Sequence, residues 1–170
     1  MNELSNNGIY LDPDIARFYD LGGKPRPDFE TCRKLAASAT TVLDLGCGTG
    51  ELAVSLAQTS RITAVDPAAA MLDIARNRSG GDQVEFLQGD ARSLRLDRKF
   101  DLVLLTGHTF QVFLTETDQL AALATIAAHL SATGTFIFDS RNPKFPGEKE
   151  RDPLMNRRRV RHPDMRMVEA

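Results

Sequence analysis

Five short apolar segments, separated by longer stretches with helical periodicity, run through the middle of this chain. They span residues 41–45, 62–65, 84–87, 101–105 and 135–138. Each is brief and mostly apolar, and Leu102–Leu105 is the clearest of the continuous apolar runs that are typical of strands buried on both faces of a parallel sheet. This alternation of strands and helices predicts an α/β fold, a doubly wound and mostly parallel sheet with helices on both faces.

The intervening segments carry helix signals of different strength. Helices are predicted over residues 51–58, from the first-turn Pro67 to about residue 76, and over 118–130. Thr115 and Asp118 form a possible capping box for the last of these, and Gly134 follows its end. Its apolar face is predicted to contain Leu120, Leu123, Ile126, Ala127 and Leu130. Two further helices are predicted upstream, over 13–20 and 27–39.

Composition excludes several classes of protein. Of the 170 residues, 42% are hydrophobic and 26% are charged, which argues against a disordered or collagen-like chain. No apolar run is long enough for a membrane span, and the amino terminus lacks a signal-peptide pattern. The cysteines, Cys32 and Cys47, are predicted to be reduced thiols, and no metal-ligand spacing is present. These features predict a cytoplasmic protein without a metal.

The first predicted strand runs into Asp44-Leu45-Gly46-Cys47-Gly48-Thr49-Gly50 and then directly into a helix. Glycines at such a place let the backbone turn tightly and approach a ligand closely. A dinucleotide fingerprint would have its third glycine after two intervening residues. The spacing here therefore argues against a nicotinamide dehydrogenase.

Two further acids follow predicted strands. Asp66 lies twenty residues beyond Gly46, where a carboxylate can accept hydrogen bonds from ribose hydroxyls. Asp90 follows the third strand and could accept from an adenine amino group. The alternative for both is local capping, Asp66 of the helix after Pro67 and Asp90 of the turn that follows it. For Asp66 the two roles are compatible.

The segments VLDLGCGTGELA, ITAVDPAAAMLDIAR, VEFLQGDARSL and FDLVLLTGHTFQVF together resemble the class I S-adenosylmethionine-dependent methyltransferases. The resemblance covers roughly residues 10–142, with the motifs in family order. It implies a Rossmann-like core at 41–142, preceded by a helical lid segment at 1–40 and followed by a basic, proline-rich tail at 143–170. It also implies S-adenosylmethionine as the cofactor.

Carried over by position, the resemblance implies a role for each of a set of residues. Asp44 would meet the amino group of the cofactor, Asp66 its ribose, and Tyr19 would close over it. The alternative for Tyr19 is packing with Phe18 on an amphipathic helix. The full set of expected cofactor contacts is Tyr19, Asp44, Gly46, Cys47, Gly48, Asp66, Met71, Asp90, Ala91, Thr106 and Gly107.

The implied reaction is transfer of a methyl group to a small-molecule acceptor by in-line displacement. Positioning of the acceptor supplies most of the catalysis, and a general base is needed only for a protonated nucleophile. His108, after the fourth strand, is the candidate base, and the alternative is a loop residue that shapes the pocket. Asp139 and Arg141 follow the fifth strand; they either touch substrate or pair with each other. His129 is predicted to be a helix carboxyl-end residue.

The tail adds two expectations. Residues 141–170 hold nine of the 21 Lys and Arg but only five of the 23 Asp and Glu, including Arg157, Arg158 and Arg159. An RNA substrate is therefore a minority alternative, weakened by the lack of aromatic stacking residues. After the fifth strand the chain is short for the family's C-terminal edge strands, so some or all of these are expected to be missing. The chain would then be a cofactor-binding module without independent catalysis, or its sheet edge would be covered otherwise, as in a homodimer.

Overall fold

The computed structural model describes residues 8–21, 26–140, 159–162 and 165–169. Its helices and strands, in chain order, are α1 (Gly8–Leu11), α2 (Pro13–Ala16), α3 (Pro27–Ala36), β1 (Thr41–Leu45), α4 (Glu51–Leu56), β2 (Arg61–Asp66), α5 (Ala69–Asn77), β3 (Val84–Gln88), β4 (Phe100–Leu105), α6 (Glu116–His129), β5 (Leu130–Phe138), β6 (Arg159–His162) and β7 (Met165–Glu169). Short 3₁₀ turns lie at Gly81–Gln83 and Thr109–Val112.

The five predicted strands form one sheet with the order β3-β2-β1-β4-β5. All four neighbouring pairs are parallel, so the predicted doubly wound sheet is confirmed. The strand order reverses between β2-β1 and β1-β4. Ligands of such sheets bind beyond the carboxyl ends of the strands near this reversal.

Alternate residues of the central strands feed two apolar cores. On β1, Val42 packs in a cluster with residues of α3, α4 and α5, whereas Leu43 and Leu45 pack in a cluster with α6. Side chains alternate between the faces of a strand, so a strand that is apolar throughout serves both cores. Helices therefore cover both faces, as predicted.

Helix α6 is present and correctly capped, but of its predicted apolar face Ile126 is buried while Leu120 and Leu123 are not. Thr115 Oγ1 accepts a hydrogen bond from the backbone N–H of Asp118 at 3.1 Å. Leu120 and Leu123 are 58% and 39% exposed. Besides Ile126, the buried residues of this helix are Ala122, Thr125 and His129.

His129 accepts a hydrogen bond from the backbone N–H of Leu96 at its Nε2 atom (2.7 Å), and its Nδ1 lies 2.7 Å from the carbonyl oxygen of Thr125. Arg95 donates to the hydroxyl of Thr125 at 2.8 Å. These polar contacts turn Thr125 and His129 inward, which a count of apolar positions could not anticipate. His129 is thus a buried structural residue.

Other boundaries differ from the predictions. Pro67 precedes α5 by two residues, because Asp66 forms a turn with the N–H of Ala68 before the helix begins. Strand β5 starts at Leu130, directly after α6, so Gly134 lies inside the strand. The upstream helices end earlier than predicted, at Ala16 and Ala36.

The described part of the tail contains two short strands. β6 and β7 pair antiparallel and form a two-stranded sheet of their own, with Val160 opposite Val168. Within the described residues, no strand pairs with the outer edge of β5. Arg141, Arg157 and Arg158 lie outside the described residues.

Among the helices of the described segments, none combines the length and the apolar character needed to cross a bilayer. In the same segments, no three His, Cys, Asp or Glu side chains are grouped so that they could hold a metal ion.

Candidate functional site

A cavity of about 690 Å³ lies at the carboxyl ends of the central strands, where the strand order reverses. Its volume is in the range of small-molecule sites. The structure brings all of the expected cofactor contacts to its walls: Tyr19, Asp44, Gly46, Cys47, Gly48, Asp66, Met71, Asp90, Ala91, Thr106 and Gly107. His108 is not among the lining residues, although its neighbours Gly107 and Thr109 are.

The glycine loop after β1 forms one wall of this cavity. The backbone N–H groups of Gly46 and Cys47 both donate to the carbonyl oxygen of Val65, which ties the loop to β2. Gly48 has φ of +54°, a conformation that disfavours other residues. A Cβ atom placed on Gly48 would meet no atom within 4 Å, so this backbone faces open space that a ligand can enter.

Asp66, at the end of β2, is held against this loop. Its Oδ2 atom accepts from the N–H of Gly48 at 2.8 Å and its Oδ1 atom from the N–H of Ala68 at 2.9 Å. Burial raises the pKa of Asp66, and these two hydrogen bonds oppose the rise. Both oxygens retain lone pairs that can accept from a ligand.

Asp44 is more deeply buried, with 2% of its surface exposed. Burial first, and the neighbouring charge of Asp66 second, raise the pKa of Asp44 to about 7. Among the described residues, no hydrogen bond to its carboxylate is found. A buried carboxylate of this kind favours a cationic ligand group, which would restore its charged form.

Asp90 is engaged by Arg92. The Nε and Nη2 atoms of Arg92 reach the Asp90 carboxylate at 2.6 to 3.1 Å, and its Nη1 atom reaches Asp118 at 2.9 Å. The hydrogen bonds from Arg92 lower the pKa of Asp90. The capping alternative is observed as well, since the N–H of Arg92 donates to Asp90 at 2.8 Å. Arg92 thereby joins the turn after β3 to the start of α6.

His108 lies at the rim and contacts Asp139, which follows β5. Its Nδ1 atom is 3.1 Å from Asp139 Oδ2, and its backbone N–H donates to Asp139 Oδ1 at 2.9 Å. His108 has φ of +65°, and it is the sole non-glycine residue with positive φ in the described segments. Such strain persists where surrounding contacts enforce it, often at functional sites. The proposed Asp139–Arg141 pair involves a residue outside the described segments.

Cys47 and Met71 are held by the packing around them. Burial raises the pKa of the Cys47 thiol far above its usual range, so this side chain is a poor nucleophile. Met71 is 1% exposed and packs with Ala16 and Ala68. This cluster fixes α2 against the start of α5.

Sequence reasoning missed several lining residues. Arg26 lies on the wall, where it forms a two-pronged ion pair with Asp28 and stacks over Phe29 at 4.2 Å. The mouth also has large apolar or aromatic side chains that are at least 37% exposed: Tyr10, Leu11, Tyr19, Val112 and Leu114. Of these five residues only Tyr19 was expected from the sequence, since the other four carry no motif that marks them as lining residues.

Tyr19 lies in the turn that follows α2, so the interpretation of Tyr19 as a helix residue is wrong. Its ring centroid is 5.9 Å from that of Tyr10. Desolvation by burial raises the pKa of Tyr19.

Comparison with known proteins gives the family. The sequence profile of the family described as "Methyltransferase domain" matches residues 42–134, more than half of the chain. The cypemycin N-terminal methyltransferase of a Streptomyces species is 38% identical over 104 residues, which are 61% of this chain and 42% of that protein. The malonyl-[acyl-carrier protein] O-methyltransferase of Bacillus cytotoxicus is 36% identical over 107 residues, 61% of this chain and 36% of that protein. The matched segment thus spans less than half of each relative.

Solved structures agree with this family. The CcbJ methyltransferase of Streptomyces caelestis superposes with a TM-score of 0.69 at 28% identity, over 76% of this chain and 56% of that one. CalS10 of Micromonospora echinaspora, an amino pentose methyltransferase solved with S-adenosylmethionine bound, has a TM-score of 0.65 at 28% identity, over 74% and 54%. The chain therefore belongs to the methyltransferase domain family of the class I S-adenosylmethionine-dependent methyltransferases, whose cofactor is S-adenosylmethionine.

Proposed function

We propose that this chain transfers a methyl group from S-adenosylmethionine to a small-molecule acceptor by in-line displacement. The observation that carries the proposal is the pair of buried carboxylates, Asp44 and Asp66, on either side of an open glycine loop at one cavity. The bound cofactor supplies a methyl group that its sulfonium charge already activates. The protein then has to bind the cofactor and the acceptor, orient them for the transfer, and exclude water from the site.

Each end of the cofactor has a matching set of groups. Asp66, oriented by Gly48 and Ala68, accepts from the ribose hydroxyls. Asp44 receives the cationic amino group, directly or through water, and the loop backbone at Gly46 and Gly48 passes beneath the methionine part.

The remaining walls enclose the base and the reacting methyl. Ala91 and Met71 pack against the adenine, and Asp90 borders it with a carboxylate whose orientation Arg92 fixes. Thr106 and Gly107, just past β4, line the methyl region. Tyr19 covers the cofactor from the lid segment.

His108 is proposed as the base for an acceptor that arrives protonated. With its Nδ1 atom donating to Asp139, the Nε2 atom is the free acceptor of a proton. The imidazole is at the rim, so it would meet the part of an acceptor that projects from the cavity mouth. Asp139 orients the ring through this contact.

The acceptor is proposed to carry an apolar body. Tyr10, Leu11, Val112 and Leu114 line the mouth while remaining substantially exposed, which is unusual for side chains of their size. The relatives' names indicate the N-terminus of cypemycin and malonyl-[acyl-carrier protein] as acceptors, and CalS10 is described as an amino pentose methyltransferase. No single acceptor class is common to the three.

A second candidate function is cofactor binding without independent turnover. It is favoured by the length comparison, since the matched segment spans only 42% and 36% of the two relatives. A homodimer through the outer edge of β5 would then complete the sheet. Sedimentation of the full chain at several concentrations would detect such a dimer.

One experiment separates the two functions. The full chain is titrated with S-adenosylmethionine by calorimetry and then assayed for S-adenosylhomocysteine formation with a panel of apolar amines, alcohols and carboxylates. Binding with turnover supports the methyltransferase, and binding without turnover by any acceptor favours the binding module. A folded chain that does not bind S-adenosylmethionine contradicts both.

A further inference from the structure

Three residues from separate segments form a hydrogen-bonded cluster at the cavity wall, which includes Asp20 and Thr49. Thr49 Oγ1 donates to Asp20 Oδ1 at 2.8 Å, and Arg78 forms an ion pair with Asp20 Oδ2. Arg78 Nε also donates to the carbonyl oxygen of Thr49 at 2.9 Å, and its Nη2 atom to the Thr49 hydroxyl at 3.1 Å. Each pair in the cluster is therefore directly bonded.

The cluster joins the lid to the cofactor loop. Asp20 lies in the turn after α2, Thr49 belongs to the glycine loop, and Arg78 caps the carboxyl end of α5. One guanidinium reaches both the carbonyl of the loop and the carboxylate of the lid. The planar fork of arginine suits this double contact, which a lysine ammonium cannot reproduce with the same geometry.

The lid turn has two attachment points on either side of Tyr19. Ala16, fully buried, packs with Ala68 and Met71 at the start of α5. Asp20 is bonded to Arg78 on the other side. Because Tyr19 lies between these two anchors and lines the cavity, the position of its ring follows from them.

We infer that Asp20 and Arg78 are positioning residues that hold Tyr19 over the cofactor and steady the glycine loop through Thr49. This inference rests on the proposed function of the cavity. Arg78 does not line the cavity. Its effect on cofactor affinity would therefore act through the lid and the loop and not through direct contact.

The Arg78–Asp20 ion pair is better suited to positioning the lid turn than to stabilising the fold. The side chains of Arg78 and Asp20 are 27% and 38% exposed, and partly exposed ion pairs contribute little to folding. Breaking the pair should thus leave the fold intact while freeing the lid turn. A loss of cofactor affinity without a loss of fold would distinguish positioning from a purely structural role.

The intrinsic tyrosine fluorescence of the chain can monitor the lid in this test. It has no tryptophan and two tyrosines, Tyr10 and Tyr19, which both line the cavity. Tyrosine fluorescence of the full chain therefore reports on the lid alone. It can be read with and without S-adenosylmethionine.

The variants are Arg78→Gln, Asp20→Asn and their combination, with Arg76→Gln as the matched control. Arg76 is on the same helix and loses the same charge, but it pairs with Asp73. We expect Arg78→Gln to weaken S-adenosylmethionine binding about tenfold, and the control to stay within about twofold. The double variant should lose less affinity than the sum of the two single losses, because both changes break the same Arg78–Asp20 ion pair. Where turnover is measurable, KM for the cofactor should rise with kcat nearly unchanged.

The outcomes are distinguishable. If wild-type protein binds S-adenosylmethionine but Arg78→Gln binds equally well, with a superimposable tyrosine titration, the positioning inference is wrong and the proposed function stands. If folded wild-type protein does not bind, the proposed function fails first. Should Arg78→Gln not fold, Arg78→Lys carries the test, and it is also expected to weaken binding because it lacks the fork.

Discussion

The carboxylate of Asp66 accepts a hydrogen bond from the backbone N–H of Gly48, with the two atoms 2.8 Å apart. The contact joins the end of β2 to the glycine loop after β1. It orients the acid that would bind the ribose before any ligand arrives, so little ordering is left for the binding step.

Replacing this acid tests the central assignment. Asp66→Ala should weaken S-adenosylmethionine binding about 100-fold or more in calorimetry, because it removes a charged acceptor and frees the N–H of Gly48. Asp73→Ala, on the exposed side of α5, is the control and should bind as wild type does. An Asp66→Ala affinity within about threefold of wild type would mean that the ribose lies elsewhere.

Asp44 predicts a pH dependence of stability. Its pKa in the folded state, about 7, is above its ordinary value of 3.8, so the folded protein holds this proton more tightly than the unfolded chain does. The stability that protonated Asp44 contributes is therefore fully present below pH 3.8 and is lost as the pH rises towards 7. Asp44→Asn should be more stable than wild type at pH 8 by about 1–3 kcal/mol, with a smaller difference at pH 5. Urea unfolding at both pH values measures this, and an equal difference at both would contradict it.

Asp44→Asn should also lose affinity for S-adenosylmethionine while gaining stability, because an amide cannot pair with a cationic amino group. Wild-type binding should strengthen between pH 6 and pH 8 as the carboxyl ionises. The same titration with the Asn variant should lack this rise.

Substitution of Gly48 is expected mainly to weaken cofactor binding, and substitution of Gly50 mainly to reduce stability. In Gly48→Ala the new Cβ enters open space, so the cost is the strained φ alone, about 1–2 kcal/mol, but binding should fall at least about tenfold because the cavity is narrowed. In Gly50→Ala the Cβ would lie 2.8 Å from Ala75 Cβ and 2.9 Å from Phe86 Cζ. Gly50→Ala should therefore lose about 2–4 kcal/mol of stability. Thermal unfolding and calorimetry on both variants check the contrast.

His108→Asn separates catalysis from structure. Asparagine tolerates the left-handed backbone at this position and can still donate to Asp139, but it offers no base. Turnover is expected to fall about 100-fold for a protonated acceptor, while cofactor affinity stays within about threefold. Unchanged turnover would show that His108 only shapes the rim.

The buried face of α6 can be tested by stability alone. His129→Leu leaves the N–H of Leu96 without its acceptor, which should cost about 2–3 kcal/mol. Leu120→Ser, on the exposed face, should change stability by less than about 0.5 kcal/mol. Larger destabilisation by Leu120→Ser than by His129→Leu would contradict this orientation of the helix.

The sheet could be predicted from the sequence because its signal is local. The segments that became β1 and β4 are mostly apolar, with Leu102–Leu105 an unbroken run, and such runs are typical of strands covered on both faces. The lining of the cavity was predictable for a related reason. Asp44 and Asp66 lie at the carboxyl ends of parallel strands, and these ends meet at one edge of the sheet.

Contacts between distant segments were decided by the tertiary structure alone. Arg78 and Asp20 are 58 positions apart, and His108 and Asp139 are 31 apart, so no local pattern records either pair. The orientation of α6 likewise depends on the polar partners that Leu96 and Arg95 present to His129 and Thr125. Hydrophobic periodicity distinguishes apolar from polar side chains. A polar side chain can nevertheless be buried if a hydrogen-bond partner satisfies it, and that partner comes into place only when the chain has folded.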